Sequence, residues 1–195
     1  MPQPLILASK SPRRAKILES LGVRFAVAPA GAEEVSIPEK PRETVLRNAL
    51  AKLRACRAAH PGRSILAADT IVWCNGRIYG KPRDAAEAAE FLRELSGVAH
   101  TVFTGVAFCG EDGAEQTAVA ESTVEFRNLD DAAIADYIAR VNPLDRAGAY
   151  DIDESGDLLV ASLSGEYENV MGLPVEPLRA FLAGCGGADR SGAAR

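Results

Sequence analysis

Residues Leu5–Ala8 form an apolar run that leads within three residues into Ser11-Pro12, and this junction restricts the fold more than any other segment. The run reads as a short buried strand within Pro4 to Ser9. Ser11 suits a helix N-cap, and Pro12 suits the first helical position, where a missing N–H costs nothing. The spacing predicts a helix from about Pro12 to Leu21 with Gly22 as its C-cap, then a second strand over Val23–Ala28. Strand, helix and strand in so few residues make a crossover unit, which needs a sheet with helices packed on its faces.

Arg13 and Arg14 fall in the first turn of that helix. Unpaired N–H groups make this end positive, so each cation there costs about 0.3–1 kcal/mol. An anion on the helix start offsets that cost, and phosphate is the natural candidate. Two solvated arginines at an ordinary helix start satisfy the same residues.

The rest of the chain alternates helices with hairpin strands. Pro29–Lys40 reads as an irregular loop holding Glu33 and Glu34. A long helix is predicted over roughly Arg42 to Ala59, with Val45, Leu46, Ala49, Leu53 and Cys56 on one face. Ser64–Ala68 reads as a buried strand running into Asp69. Thr70–Cys74, the Asn75-Gly76 turn and Arg77–Tyr79 make a predicted hairpin. Asp84 with Glu87 resembles a capping box for a helix ending near Ser96-Gly97. His100–Cys109 and Gln116–Phe126 are longer β runs joined around Glu111-Asp112-Gly113. Leu129–Val141 is an amphipathic helix stopped by Asn142-Pro143, and Leu144–Gly156 is a polar loop. Asp157–Leu163 is a strand and Pro174–Leu182 a final helix. The expectation is one α/β domain over residues 1–183, with a mixed central sheet and flanking helices. The Gly/Ala/Ser stretch from Gly184 is expected to be a disordered tail.

Asp69 and Lys81 bracket the hairpin. With Asn75 and Gly76 as its loop, Cys74 faces Arg77 and Thr70 faces Lys81, which puts Asp69 one step from Lys81. That arrangement suits a metal- or water-binding acid beside a phosphate-binding lysine. A surface ion pair worth about 0–1 kcal/mol is the plainer reading. Thr70 suits a bond to substrate or to its own backbone. Lys52 flanks the apolar stripe of the long helix, where a solvated lysine laying its stem along the face is the usual arrangement. Glu33-Glu34 is ordinarily a solvated pair, of interest only if its loop reaches the mouth that holds Asp69. His100 reads as a satisfied structural histidine, and Trp73 and Tyr79 as packing on the hairpin faces. In the polar turn Ser164–Pro174, Asn169 suits a turn cap or a ligand contact.

The totals exclude several classes. A net charge of -5 disfavours non-specific binding to nucleic acid or to an anionic membrane. Only 2 histidines, His60 and His100, rule out a multi-histidine metal site. Cys56, Cys74, Cys109 and Cys185 are scattered, which fits a reducing compartment rather than a zinc site or a disulfide framework. No signal peptide, transmembrane run or lipidation signal is visible, so the cytoplasm is the expected location.

The segments LASKSPRR (7–14), RNALAK (47–52), AADTIV (67–72), GKP (80–82), LSG (95–97), HTVFTGV (100–106), AGAY (147–150) and GEYENVMGLP (165–174) follow one another in this order. Together they resemble the Maf nucleotide pyrophosphatases, of the inosine-triphosphatase-like (Maf/Ham) fold, from Leu5 to about Leu182. The resemblance implies hydrolysis of a nucleoside triphosphate between its α and β phosphates, with Mg²⁺ or Mn²⁺ required, by a cytoplasmic and often dimeric protein. By position it implies that Ser9, Arg13, Arg14, Lys52 and Lys81 bind substrate and phosphate. It likewise implies that Glu34 serves the metal or catalysis and that Asp69 is the catalytic acid/base and a metal ligand. SPRR and AGAY resemble the branch acting on dTTP and UTP rather than the 7-methylguanosine triphosphate branch, which more often has SPYR. After AGAY the pyrimidine branch usually reads Gly-Ile-Gln-Gly, whereas here it is Asp151-Ile152-Asp153-Glu154. Asp153 keeps an acceptor but loses the amide donors, and joins Thr70 as a further substrate-binding candidate. The competing expectations are a pyrophosphatase of another base preference, a nucleotide-binding regulator of cell division with little turnover, and a ligand-free protein–protein interaction module.

Overall fold

The computed structural model describes residues 3–185. In chain order its elements are β1 (Leu5–Leu7), α1 (Pro12–Ser20), β2 (Phe25–Val27), α2 (Pro41–Ala59), β3 (Ile65–Cys74), β4 (Arg77–Tyr79), α3 (Ala85–Leu95), β5 (Ala99–Cys109), β6 (Glu115–Phe126), α4 (Asp131–Arg140), β7 (Val160–Ser164), α5 (Tyr167–Val170) and α6 (Val175–Cys185). The strands form one 7-stranded sheet in the order β2-β1-β3-β5-β6-β7, with β4 paired to β3. β1 runs parallel to β2 and β3, and the remaining pairs are antiparallel. The sheet is therefore mixed and flanked by helices, as the alternation of elements predicts.

β3 departs from expectation, because it continues through Asp69 instead of ending there. β5 pairs with it without a break from Ile65↔Cys109 to Trp73↔Thr101. Its other edge is shared: β1 takes Ile65 and Leu66, and β4 takes Val72, Trp73 and Cys74. Between them, residues 67–71 have no strand neighbour on that side among the described residues. The hairpin turn forms as predicted, with φ of 48° at Asn75 and 81° at Gly76, as a tight two-residue turn requires. The ladder nevertheless stops at Val72↔Tyr79, so Thr70 does not face Lys81. The chain is drawn aside at Gly80, whose carbonyl accepts the Gly148 N–H at 3.1 Å.

Successive β3 side chains point to opposite faces. On one face Ala49, Leu53 and Cys56 of α2 cover Ile65, Ala67, Ala107 and Cys109, and Val45 covers Ile71 and Phe103. On the other, α1 and α6 cover Leu66, Ala68, Val106 and Phe108, while α3 and α4 cover Val72, Val102 and Val124. Gly105, opposite Asp69 in the ladder, lets α2 come this close. A Cβ there would lie 2.5 Å from the Val45 carbonyl oxygen.

Helix ends follow the sequence unevenly. Asp84 caps α3 through the Glu87 N–H, and the Glu87 carboxylate returns to the Arg83 N–H, one residue short of a full capping box. Ser11 holds the N-cap position of α1 without a side-chain cap bond. The predicted polar loop is folded into three 3-10 turns, Pro143–Asp145, Ala147–Ala149 and Gly156–Leu158. α6 passes through Gly184 and Cys185, where disorder was expected, and the rest of that tail lies outside the described residues. No described helix is long and apolar enough to cross a membrane.

His100 is buried and packed as a structural residue, but only one of its ring nitrogens has a hydrogen-bond partner among the described residues. Its ring meets Phe126 and Tyr150 edge-on, and Nε2 lies 3.0 Å from the Tyr150 hydroxyl. Burial pushes its pKa down to about 4.

Two predictions follow from this packing. Gly105→Ala must move α2 or β5 backbone, so its urea midpoint should drop by the equivalent of about 1–3 kcal/mol; an unchanged midpoint would contradict the close approach. Because the folded state holds His100 neutral, the unfolded chain binds the extra proton between pH 6.5 and 4. Stability should therefore fall as pH drops through that window, by up to about 3 kcal/mol. Urea titrations of His100→Gln should show that slope flattened.

Candidate active site

The open stretch of the β3 edge floors a cleft of about 800 Å³. Asp69 and Thr70 point to opposite faces of the strand, yet both line this cleft, because no strand closes the edge between β1 and β4. Helices on the two faces therefore supply side chains to one place.

From the first face come Asn48 and Lys52, one turn apart on α2. The Asp69 carboxylate, only 6% exposed, accepts Asn48 Nδ2 at 3.0 Å on one oxygen and Lys52 Nζ at 2.5 Å on the other. Lys52 Nζ also lies 2.7 Å from Glu34 Oε1. The loop after β2 thus reaches the mouth that holds Asp69, and Glu34 is part of the site while Glu33 is not among its lining residues. Lys52 is not the solvated flank that its position on the helix suggested.

The expected neighbour of Asp69, Lys81, is corrected by the structure. Lys81 does line the cleft, but its ammonium pairs with Asp145 at the rim. The short hairpin ladder is the reason. The two pairs differ in kind. Both side chains of Lys81–Asp145 are more than half exposed, so the pair is worth about 0–1 kcal/mol and an incoming anion can exchange it. Lys52–Asp69 is largely buried, and removing one partner from such a pair costs about 3–5 kcal/mol.

From the second face comes Arg14. Its Nε donates to the Gly172 carbonyl at 2.8 Å, Nη1 to Ser9 Oγ at 2.8 Å and Nη2 to Thr70 Oγ1 at 3.0 Å. None of these partners is a carboxylate. Burial pushes the guanidinium pKa down to about 10, with the Asp69 charge opposing, so Arg14 stays charged at neutral pH. Thr70 also shares a hydrogen bond with Thr104, whose hydroxyl donates to the Asn169 carbonyl. Asn169 is fully buried and donates to Val102 O and Ser122 Oγ, so it fastens the turn rather than facing the cleft.

Arg13 lines the cleft beside Arg14, and its Nη1 lies 3.3 Å from Asp151 Oδ2. Arg146 Nε lies 2.8 Å from the same oxygen. Burial lowers the Arg13 pKa and the Asp151 charge counters it. Of the four residues that replace Gly-Ile-Gln-Gly, it is Asp151 that lines the cleft. Asp153 does not; its carboxylate is held by Lys16 and by the Tyr167 hydroxyl. Asn48, Asp145, Arg146, Asp151 and Thr104 escaped the sequence reading. Asn48 and Thr104 stand inside the segments RNALAK and HTVFTGV, and Asp151 opens the departure after AGAY, but nothing within those segments singles them out.

A family model described as "Maf-like protein" matches residues 4–185. The chain belongs to the Maf-like family. A relative from Geobacter sp. (strain M21), named dTTP/UTP pyrophosphatase, is 45% identical over 175 residues, covering 88% of this chain and 90% of its own. Another of that name from Anaeromyxobacter dehalogenans (strain 2CP-C) is 45% identical over 186 residues, covering 93% and 94%. Among solved structures, the Staphylococcus aureus Ham1 protein superposes with a TM-score of 0.56 at 16% identity, covering 93% of this chain and 99% of its own. The Maf-like chain thus shares the Ham1 fold.

Arg14→Lys keeps the charge, but its compact ammonium cannot span the three separated partners that the guanidinium fork reaches. Charged hydrogen bonds are worth about 1.5–3 kcal/mol, so inorganic pyrophosphate should bind this variant about 10–100-fold more weakly by calorimetry. Equal affinity would remove Arg14 from anion binding.

Proposed function

We propose that this Maf-like protein hydrolyses dTTP and UTP to the nucleoside monophosphate and pyrophosphate. The observation that carries the reading is the Asp69 carboxylate, buried and aligned by Asn48 and Lys52, in a cleft where Arg13, Arg14, Lys52 and Lys81 converge. The shared name of the curated relatives supplies the substrate class.

These cations, with Lys10 also lining the cleft, suit a polyphosphate, whose charge needs several partners at once. Arg14 is preorganised by three fixed bonds and anchors the chain of phosphates without reorganising. Lys81 closes on it from the rim after leaving Asp145. Asp69 orients a water and takes its proton as the water oxygen bonds to the α-phosphorus, opposite the oxygen that bridges it to the β-phosphorus. The P–O bridge bond breaks and pyrophosphate departs with the bond electrons, its charge held by the cations.

Glu34 and Asp69 fit a divalent cation. Both carboxylates reach a single ammonium, that of Lys52, at 2.7 and 2.5 Å. Mg²⁺ characteristically takes one or two carboxylates and fills its remaining positions with phosphate and water. No group of three or more His, Cys, Asp or Glu side chains converges among the described residues, so the substrate would complete the shell. When bound, the ion supplies further neutralisation of phosphate charge.

The deciding experiment measures pyrophosphate release from a panel of nucleoside triphosphates with Mg²⁺ or Mn²⁺. Wild type should act on dTTP and UTP, and Asp69→Asn, less stable but still folded because Lys52 keeps Glu34 as a partner, should lose at least about 10³-fold in kcat. Near-normal turnover in the variant would remove Asp69 from the chemistry. A preference for another base would place the change in specificity at residues 151–154. Nucleotide binding without release would support a regulator instead.

A further inference from the structure

We propose that Asn48 is a positioning residue that fastens the Glu34 loop to the Asp69 strand, so that the two carboxylates close on one cation. The inference deepens the reading of Glu34 and Asp69 as the acidic pair of the site.

The Asn48 side chain is buried, 3% exposed, and its amide is used on two elements at once. Oδ1 accepts the Val35 N–H at 2.8 Å, and Nδ2 donates to the Val35 carbonyl at 3.0 Å and to Asp69 Oδ2 at 3.0 Å. Val35 directly follows Glu34, so both backbone groups of the residue after Glu34 are held by one amide. The loop lies outside any strand or helix and takes its position from side chains. Thr44 holds Ile37 one helical turn earlier on α2, and Lys52 meets Glu34 one turn later. Thr44, Asn48 and Lys52 thus form a polar stripe at i, i+4 and i+8 that grips the loop along its length.

The chemistry selects asparagine. Both amide hydrogens face acceptors, the Val35 carbonyl and the Asp69 carboxylate, while Oδ1 faces a donor. A carboxylate at this position would lack both donors and stand beside Asp69 with the same charge. Asn48 turns Nδ2, not its oxygen, to Asp69, while Oδ1 accepts from the Val35 N–H. It acts through the placement of Glu34 and Asp69, as outer partners of metal ligands do.

The test is Mn²⁺ binding without nucleotide, read by electron paramagnetic resonance, on wild type, Asn48→Ala, Glu34→Gln and the double variant. Asn48→Ala should weaken Mn²⁺ by about 10–100-fold. Glu34→Gln should weaken it in the wild-type background and change it by less than about twofold in the Asn48→Ala background, because the two act as one unit. Hydrogen exchange at the Val35 amide should speed up by at least about tenfold in Asn48→Ala. Asn48→Ser, which keeps a small polar group in the buried position, guards against a folding defect and should fall in the same range. Unchanged Mn²⁺ affinity, additive effects of the two substitutions, or no Mn²⁺ binding by wild type would each overturn the proposal. Pyrophosphate release is scored separately: its absence removes the hydrolase reading, whereas the Mn²⁺ data alone decide the role of Asn48.

Discussion

The acidic half of the site depends on how closely α2 lies on β3 and β5. Gly105 stands opposite Asp69 in the ladder and presents only a hydrogen to the Val45 backbone. With the helix that low, Asn48 and Lys52 reach the Asp69 carboxylate directly and exclude most water from it. A carboxylate so placed is costly unless paired and hydrogen-bonded, and both conditions are met by two residues one turn apart on one helix. The same stripe on α2 then positions the Glu34 loop, so a single close contact arranges two elements of the site.

The second constraint is the divided edge of β3. A full-length neighbour on that side would have closed the sheet and left Asp69 and Thr70 on separate faces. Because β1 stops early and β4 starts late, the faces communicate, and α1 and α2 bring cations to the same opening. In a chain of net charge -5 these cations are kept mostly neutralised. Lys52 meets Asp69 and Glu34, Arg13 meets Asp151, and Lys81 meets Asp145. Arg14 differs, because its three hydrogen-bond partners are neutral. A polyanion therefore finds one uncommitted, rigid cation in the depth of the cleft and one easily exchanged cation at its rim. That gradient follows from burial: the weaker ion pair is the exposed one.

Much of this was legible in the sequence, and the boundary has a physical pattern. Local signals held: the crossover units, the Asn75-Gly76 turn and the Asp84 cap depend on neighbours in the chain. Arg13 and Arg14, the two arginines on the positive helix start of α1, do line the cleft. Readings that required a partner distant in sequence fared less well. Lys81 was matched to Asp69 by counting along an ideal hairpin, but Gly148 takes the Gly80 carbonyl and diverts the strand. The departure from Gly-Ile-Gln-Gly points to Asp153, yet Lys16 holds Asp153 outside the cleft and Asp151 lines it instead.

The sequence by itself determined the α/β class, the order of strands and helices, the family and the set of charged residues available for chemistry. Those properties are written in periodicity, turn residues and motifs a few residues long. Only the tertiary structure decided which carboxylate meets which cation. That choice depends on distances set by a helix resting on a glycine, by a strand edge left open and by a loop clamped through one buried amide, and none of these has a local signature in the chain.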